Sequence, residues 1–234
     1  RSRACQWELT AACLAGEAEG NRCGRLMVVN PLPERNHVPV LLRDSLIVPG
    51  GDDAALDEAV RRIRDHLATP STTLGSITSL AGGDWLGNAR MSAPRFVGRI
   101  TEMWEVHGIL MADRPQAAIL NSGEAAAGLV HGLGGIGKSL MAEEYARRFA
   151  AAYPGGTVWL SATTGNESSE LYTLALNLRL PVENETPQGV RTLVRDHLAK
   201  QKPYLWIVDD LPSDATPALL DRWRAPSDNG RTLI

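Results

Sequence analysis

Lysine, cysteine and long hydrophobic runs are all scarce in this chain of 234 residues. Only three of its 24 lysine and arginine residues are lysine, so a lysine that falls inside a motif is informative. The three cysteines, Cys5, Cys13 and Cys23, are odd in number and form no C-x-x-C pair. That pattern signals neither a disulfide framework nor a zinc site. Free thiols in a reducing cytoplasm are therefore expected, which predicts a cytoplasmic protein.

The apolar residues are too dispersed for a membrane-spanning protein. The run from Tyr204 to Val208 is far shorter than the roughly 20 residues that a membrane helix needs. The net charge of −3 excludes a grossly basic nucleic-acid binder, so neither a membrane nor a nucleic acid is expected as a partner. With 44% hydrophobic and 22% charged residues, the chain has the composition of a folded globular protein.

The order of apolar and polar segments predicts two structured blocks. Residues 1–70 form the first block, residues 94–234 form the second, and residues 71–93, rich in Ser, Thr and Gly, form a linker. In the first block we predict helices near 7–15 and 53–67, a strand at 26–29, and extended stretches at 38–42 and 46–48. In the second we predict helices near 100–111, 139–152, 169–178 and 187–200, an apolar segment at 125–130, and strands at 157–161 and 204–208.

This alternation of strand and helix predicts an α/β protein with a parallel sheet covered by helices on both faces. The sequence opens without an initiator methionine and stops inside a predicted strand, so each block is expected to be incomplete.

Residues 132–139 match the pattern G-x-x-x-x-G-K-[ST] of a phosphate-binding loop. They read Gly132, Leu133, Gly134, Gly135, Ile136, Gly137, Lys138 and Ser139, and Leu140 follows in the predicted helix. Backbone N–H groups must approach a phosphate chain closely, and the four glycines permit both that approach and positive φ angles. The start of a helix favours an anion, Lys138 supplies a cation to the β- and γ-phosphates, and the Ser139 hydroxyl is a candidate ligand for Mg²⁺.

A pair of acidic residues follows the predicted strand at 204–208. Asp209 and Asp210 come at its C-terminal end, where an open parallel sheet binds ligands. We expect Asp209 to hold Mg²⁺ through water beside Ser139, and Asp210 to orient or deprotonate the attacking water. An apolar strand that ends in Asp-Asp is also compatible with a plain turn. Its pairing with the phosphate-binding loop favours the functional reading, with Lys138 and Asp210 as candidate catalytic residues.

The second block resembles the STAND class of signal-transduction ATPases, whose shared module is called NB-ARC. The resemblance lies in the F-V-G-R element of Phe96, Val97, Gly98 and Arg99, the loop at 132–139, the strand at 156–160 and the Ile-Val-Asp-Asp ending at 207–210. Residues 229–234 are similar to the start of the next strand in that class. The resemblance implies that residues 94–234 hold the N-terminal part of a three-layer P-loop NTPase with a parallel sheet.

The same resemblance implies a signalling switch, of the kind used in innate defence. Phe96, Val97 and Arg99 would lie by the adenine, and residues 132–140 would hold the phosphates of ADP at rest and of ATP, with Mg²⁺, in the active state. Members of the class hydrolyse ATP slowly and oligomerise in response to a trigger, which the sequence does not identify here. Asp210, which is shorter than the Glu of many motor ATPases, is compatible with slow hydrolysis.

The first block resembles the C-terminal part of a TIR domain, a flavodoxin-like α/β fold. Residues 2–9 contain a C-x-x-E stretch formed by Cys5 and Glu8, and a helix, a strand at 26–31 and a closing helix follow. The resemblance implies self-association through the TIR and NTPase domains and a role for Glu8 in cleaving NAD. An NAD hydrolase that uses Glu8 is therefore the alternative to the nucleotide switch.

A different P-loop enzyme, such as a transporter ATPase or a small-molecule kinase, is a third possibility, although the chain has no L-S-G-G-Q signature and no evident substrate-pocket motif.

Overall fold

A computed structural model describes residues 3–18, 26–30, 34, 38, 42, 46–49, 52–68, 83–86, 96, 98–112, 137–163, 167–212 and 215–234. The chain divides into two compact units, residues 1–80 and residues 81–234. Both are built from helices and parallel strands, which confirms the predicted α/β class. The apolar segment predicted at 125–130 and most of the extended stretch predicted at 38–42 lie outside the described residues.

The first unit pairs two short strands and places a helix against them. Its elements are α1 (Arg3–Ala18), β1 (Met27–Asn30), β2 (Leu46–Pro49) and α2 (Asp53–Ala68). β1 and β2 are parallel, and α2 packs against β2. Asp52 caps α2, because its Oδ1 accepts a hydrogen bond from the Ala55 N–H at 2.7 Å. Val48 and Ala59 are buried where the helix meets the strand.

The second unit contains a four-stranded parallel sheet in the order β3-β4-β5-β6. Its strands are β3 (Trp85–Leu86), β4 (Thr157–Ser161), β5 (Tyr204–Asp209) and β6 (Gly230–Leu233). Its helices are α3 (Ile100–Leu110), α4 (Lys138–Arg148), α5 (Glu167–Asn177), α6 (Pro187–Leu198) and α7 (Pro217–Trp223), with a 3₁₀ turn at Ala150–Ala152. The strands predicted at 157–161 and 204–208, and the strand expected within 229–234, are confirmed.

The central strand β5 is buried along its apolar length. Residues Tyr204 to Val208 are almost fully excluded from solvent, as a strand covered on both faces must be. α5 and α6 pack together and against this part of the sheet through Leu174, Val194 and Leu198. The parallel register places Ser161, the last residue of β4, beside Asp209, the last residue of β5. The carboxyl ends of both strands therefore meet at one edge.

The short strand β3 falls inside the stretch that composition predicts as a linker. Trp85 stacks on Trp159 of β4 with ring centroids 6.0 Å apart, and the Arg147 guanidinium lies 5.2 Å from the centroid of the Trp85 ring. The Thr157 N–H also donates to the Asp84 carbonyl at 3.0 Å. Two residues have too little periodicity to predict a strand, so these long-range contacts explain why it forms.

Two helix starts show the difference between local and long-range signals. α6 begins at the predicted residue, because Thr186 accepts a hydrogen bond from the Gly189 N–H at 3.1 Å and Pro187 suits the first helical position. α5 begins at Glu167, two residues before the predicted start. The buried Glu167 carboxylate is ion-paired with Arg191 of α6 and Arg222 of α7. Burial and the neighbouring Arg222 lower the pKa of Arg191.

Buried aromatic side chains join α3 to α4. Trp104 and Phe149 meet edge to face at 4.8 Å, and Phe149 also lies 4.6 Å from the His107 ring. The His107 Nδ1 is 2.9 Å from the Tyr145 hydroxyl, which in turn is 2.6 Å from the Tyr153 hydroxyl. Because these polar atoms are buried, each contact replaces a hydrogen bond to water and fixes how the two helices pack.

Among the helices in the described part of the chain, none has both the length and the apolar character needed to cross a membrane.

The core of the second unit can be tested with two leucines on neighbouring helices. Leu198 of α6 is fully buried, whereas Leu176 of α5 is half exposed. We expect Leu198→Ala to lower the free energy of unfolding by about 2–5 kcal/mol, because it leaves a cavity as well as losing apolar burial. Leu176→Ala should change it by less than about 1 kcal/mol. Urea unfolding followed by tryptophan fluorescence measures both, and equal losses would contradict the assigned core.

Candidate functional site

The helix α4 begins at the point where the sequence predicts phosphate binding. Gly137 precedes Lys138 with φ 79° and ψ 30°, in the left-handed region, and as a glycine it has no side chain with which to cap the helix. Its carbonyl accepts the first helical hydrogen bond, from the Met141 N–H at 2.8 Å. In any α-helix the N–H groups of the first turn have no partner within the helix, so this end attracts an anion. Residues 132–136 of the loop, and Val97, lie outside the described residues.

The hydrogen bond between Ser139 and Asp209 joins the two predicted motifs. The Ser139 hydroxyl donates to Asp209 Oδ1 at 2.7 Å, although the two residues are 70 positions apart. Both side chains are half-buried, and α4 contacts β5. The start of α4 therefore lies directly against the carboxyl end of β5.

Asp210 has a different environment from that of its neighbour. It is exposed, and its φ of 61° is in the left-handed region, which Asp tolerates better than most residues. Its N–H donates to Asp209 Oδ1 at 3.1 Å. Its own carboxylate turns toward β4, where Oδ2 accepts a hydrogen bond from the Thr163 hydroxyl at 3.3 Å. One carboxylate thus faces α4 and the other faces the end of β4.

Two hydroxyl residues at the end of β4 complete this edge, and the sequence reasoning missed both. The Ser161 and Thr163 hydroxyls are 2.8 Å apart, and the Ser161 N–H donates to Glu170 Oε2 at 3.2 Å. Their signal in the sequence is the polar ending of an apolar strand, the same feature that identifies Asp209. In a parallel sheet, neighbouring strands with this ending place their polar residues at a common edge.

The Ser139 hydroxyl and the Asp209 carboxylate are suitable oxygen donors for Mg²⁺. This ion prefers oxygen ligands, and in nucleotide sites it takes one or two from the protein, the others being water and substrate phosphates. The described residues contain no group of three or more His, Cys, Asp or Glu side chains that forms a metal cage. A hydroxyl and a carboxylate in direct contact fit a magnesium ion that is shared with a phosphate ligand. In such an arrangement Ser139 and Asp209 would hold the ion.

The F-V-G-R element leads directly into α3. Gly98 and Arg99 have φ angles of 95° and 51°, and Arg99 precedes the first residue of the helix. These two left-handed residues turn the chain into α3, which packs on α4 through Trp104 and Phe149. The structure therefore places Phe96, Gly98 and Arg99 at the N-terminal end of a helix that is firmly attached to α4.

Glu8 belongs to the other unit. It is exposed on α1, and it makes no hydrogen bond or ion pair with another described residue. Among the described residues, none provides a hydrogen-bonding or ionic partner for the carboxylate that the alternative function would use.

The positive φ of Gly137 gives a test that needs no ligand. Of the described residues, a Cβ added there would meet only Leu140 at 3.9 Å, an ordinary contact, so Gly137→Ala should destabilise through the backbone alone, by about 1–2 kcal/mol. Gly108 in α3 is the matched control, because a Cβ there meets no described residue within 4 Å and the backbone is helical. Gly108→Ala should stabilise by about 0.5–1 kcal/mol. Urea unfolding measures both changes, and a neutral Gly137→Ala would argue against the left-handed start of α4.

Comparison with protein-family models, with curated proteins and with solved structures gives no match. What this site can do therefore has to be read from its own residues and their geometry.

Proposed function

We propose that the second unit binds the phosphates of an adenine nucleotide and acts as a STAND-type signalling switch with slow, Mg²⁺-dependent ATP hydrolysis. The observation that carries the proposal is the 2.7 Å hydrogen bond from Ser139 to Asp209. The sequence motifs are separate signals, and either one alone is compatible with an ordinary turn. Their side chains touch in the folded chain, at the edge of a parallel sheet where ligands bind.

The phosphates would lie at the start of α4. Gly137 brings no capping side chain of its own to the first turn, whose N–H groups would donate to phosphate oxygens. Lys138, the first residue of the helix, adds a positive charge there. Lysine suits this position because its flexible stem delivers a compact charge to a phosphate.

The two aspartates would divide the remaining work. Asp209, in contact with Ser139, would help to hold Mg²⁺, which supplies neutralisation of the charge that develops on the phosphates. Asp210, directed away from α4 toward Thr163, would accept a hydrogen bond from the attacking water. Asp210 is exposed to solvent rather than enclosed in the site, which is consistent with a switch that turns over slowly.

The first unit would supply the output of the switch. Its parallel strand pair, with helices before and after it, is compatible with part of a TIR-like α/β unit. We propose that nucleotide exchange in the second unit controls self-association of this fused effector in response to a trigger.

Lysine scarcity provides a clean test of phosphate binding. We expect Lys138→Ala to weaken binding of ATP and ADP by about 10- to 100-fold, because one charge-assisted hydrogen bond to phosphate is lost. Lys200→Ala is the matched control, since Lys200 is an exposed lysine in the turn after α6. Isothermal titration with each nucleotide and Mg²⁺ measures both. Unchanged affinity of Lys138→Ala in a folded sample would refute the proposal.

The separate roles proposed for Asp209 and Asp210 predict different defects when each is replaced. Asp210→Asn should reduce the rate of ATP hydrolysis by about 10²-fold or more while ATP affinity stays within a few-fold, because it removes the base and leaves Ser139 and Asp209 in place. Asp209→Asn should instead reduce the effect of Mg²⁺ on ATP affinity. Phosphate release and titration with and without Mg²⁺ separate the two, and Asp228→Asn, an exposed aspartate before β6, serves as the control. Equal defects in both variants would contradict the assigned roles.

A further inference from the structure

A chain of hydroxyl groups reaches Asp210 from the end of β4. The Ser161 and Thr163 hydroxyls are 2.8 Å apart, and the Thr163 hydroxyl lies 3.3 Å from Asp210 Oδ2. An ionised carboxylate can only accept a hydrogen bond, and each hydroxyl has a single proton to donate. Because the Thr163 proton is directed at Asp210, the contact between the two hydroxyls has to use the proton of Ser161. The donors therefore follow one direction, from Ser161 through Thr163 to the carboxylate.

The backbone brings Thr163 and Asp210 together. The Ala162 N–H donates to the Asp209 carbonyl at 2.8 Å, so the pairing of the two strands continues one residue past the end of β4. Thr163 and Asp210 each come directly after a residue in this hydrogen bond. The parallel sheet therefore fixes where the Thr163 hydroxyl lies relative to the Asp210 carboxylate.

The helix α5 supports the same end of β4. The Ser161 N–H donates at 3.2 Å to Oε2 of Glu170, which lies in the first turn of α5. Glu167, in the same turn, is ion-paired with Arg191 and Arg222, which attaches this turn to α6 and α7. The end of β4 is therefore held both by the neighbouring strand and by an anchored helix.

The Asp210 carboxylate uses one of its two oxygens in these contacts. Oδ2 accepts from Thr163, whereas Oδ1 makes no hydrogen bond to another residue in the described part of the chain. Both residues are exposed, so water has access to Oδ1. A general base has to direct its accepting oxygen at the proton that it takes, and a donor on Oδ2 restricts rotation of the whole carboxylate.

We propose that Thr163 is a positioning residue for ATP hydrolysis, whose hydroxyl holds Asp210 Oδ2 so that Oδ1 accepts the proton of the attacking water. In that step the water oxygen bonds to the γ-phosphorus as the bond to the β-phosphate oxygen breaks, which gives ADP and inorganic phosphate. The water proton passes through Asp210 to solvent. The inference rests on the proposed function, in which Asp210 acts on this water, and it assigns to Thr163 an effect on the chemical step but not on nucleotide affinity.

Removal of the Thr163 hydroxyl tests the proposal. Thr163→Val keeps the shape of the side chain but has no donor, so Asp210 is less often in the required orientation. We expect single-turnover ATP hydrolysis to slow by about 10-fold while the Kd of ATP stays within about 2-fold. Thr163→Ser retains a hydroxyl and should recover the wild-type rate to within about 3-fold.

The matched control is Thr173→Val. Thr173 is an exposed threonine of α5 whose hydroxyl donates to the Ser169 carbonyl at 3.0 Å, so this variant loses a similar hydrogen bond away from Asp210. It should change neither the rate nor the affinity.

A double-mutant cycle separates positioning from a merely structural role. In an Asp210→Asn chain, Thr163→Val should cause no further loss in long single-turnover reactions, because no carboxylate remains to be oriented. Three results would each overturn the proposal. They are a similar loss in both backgrounds, a Thr163→Val rate equal to or above that of the wild type, and a Thr163→Ser rate as low as that of Thr163→Val.

Failure of this inference can be distinguished from failure of the proposed function. If Lys138→Ala weakens ATP binding and Asp210→Asn slows hydrolysis, but Thr163→Val changes neither, then only the role of Thr163 is wrong. If the folded wild type hydrolyses no ATP, both are wrong.

Discussion

The contact between Ser139 and Asp209 is the constraint on which the candidate site depends. It ties the first turn of α4 to the carboxyl end of β5, so the start of a helix and a carboxylate occupy one edge of the sheet. The local structure around Ser139 or around Asp209 does not by itself bring the two side chains together. The parallel sheet does, because every strand delivers its C-terminal residue to the same side.

Adjacent positions in the chain can serve different purposes when the backbone changes conformation between them. Asp209 ends β5 and faces α4, whereas the left-handed φ of Asp210 turns the next carboxylate toward Thr163. One carboxylate therefore contacts the start of α4 and the other contacts the end of β4.

The sequence predicted the parts of the fold that have strong local signals. The continuous apolar run of β5 and the Thr186–Pro187 start of α6 are confirmed, because burial on both faces and helix capping leave direct marks in the residue types. β3 and the early start of α5 were not predictable, since they depend on Trp159 and on Arg191 and Arg222, which are distant in sequence.

Lys138, Ser139 and Asp209 could be named from motifs, but Ser161 and Thr163 could not, because hydroxyl residues after a strand are common. The left-handed conformation of Asp210 has no mark in its residue type.

The buried contacts between α3 and α4 have a mechanical consequence. Phe149 lies within 5 Å of the rings of Trp104, His107 and Tyr145, and the Tyr145 hydroxyl has a polar neighbour on either side. Sliding one helix along the other would separate these rings and leave buried polar atoms without their contacts. These contacts couple the two helices, so we expect a displacement of the helix that follows Arg99 to carry with it the helix that begins at Lys138.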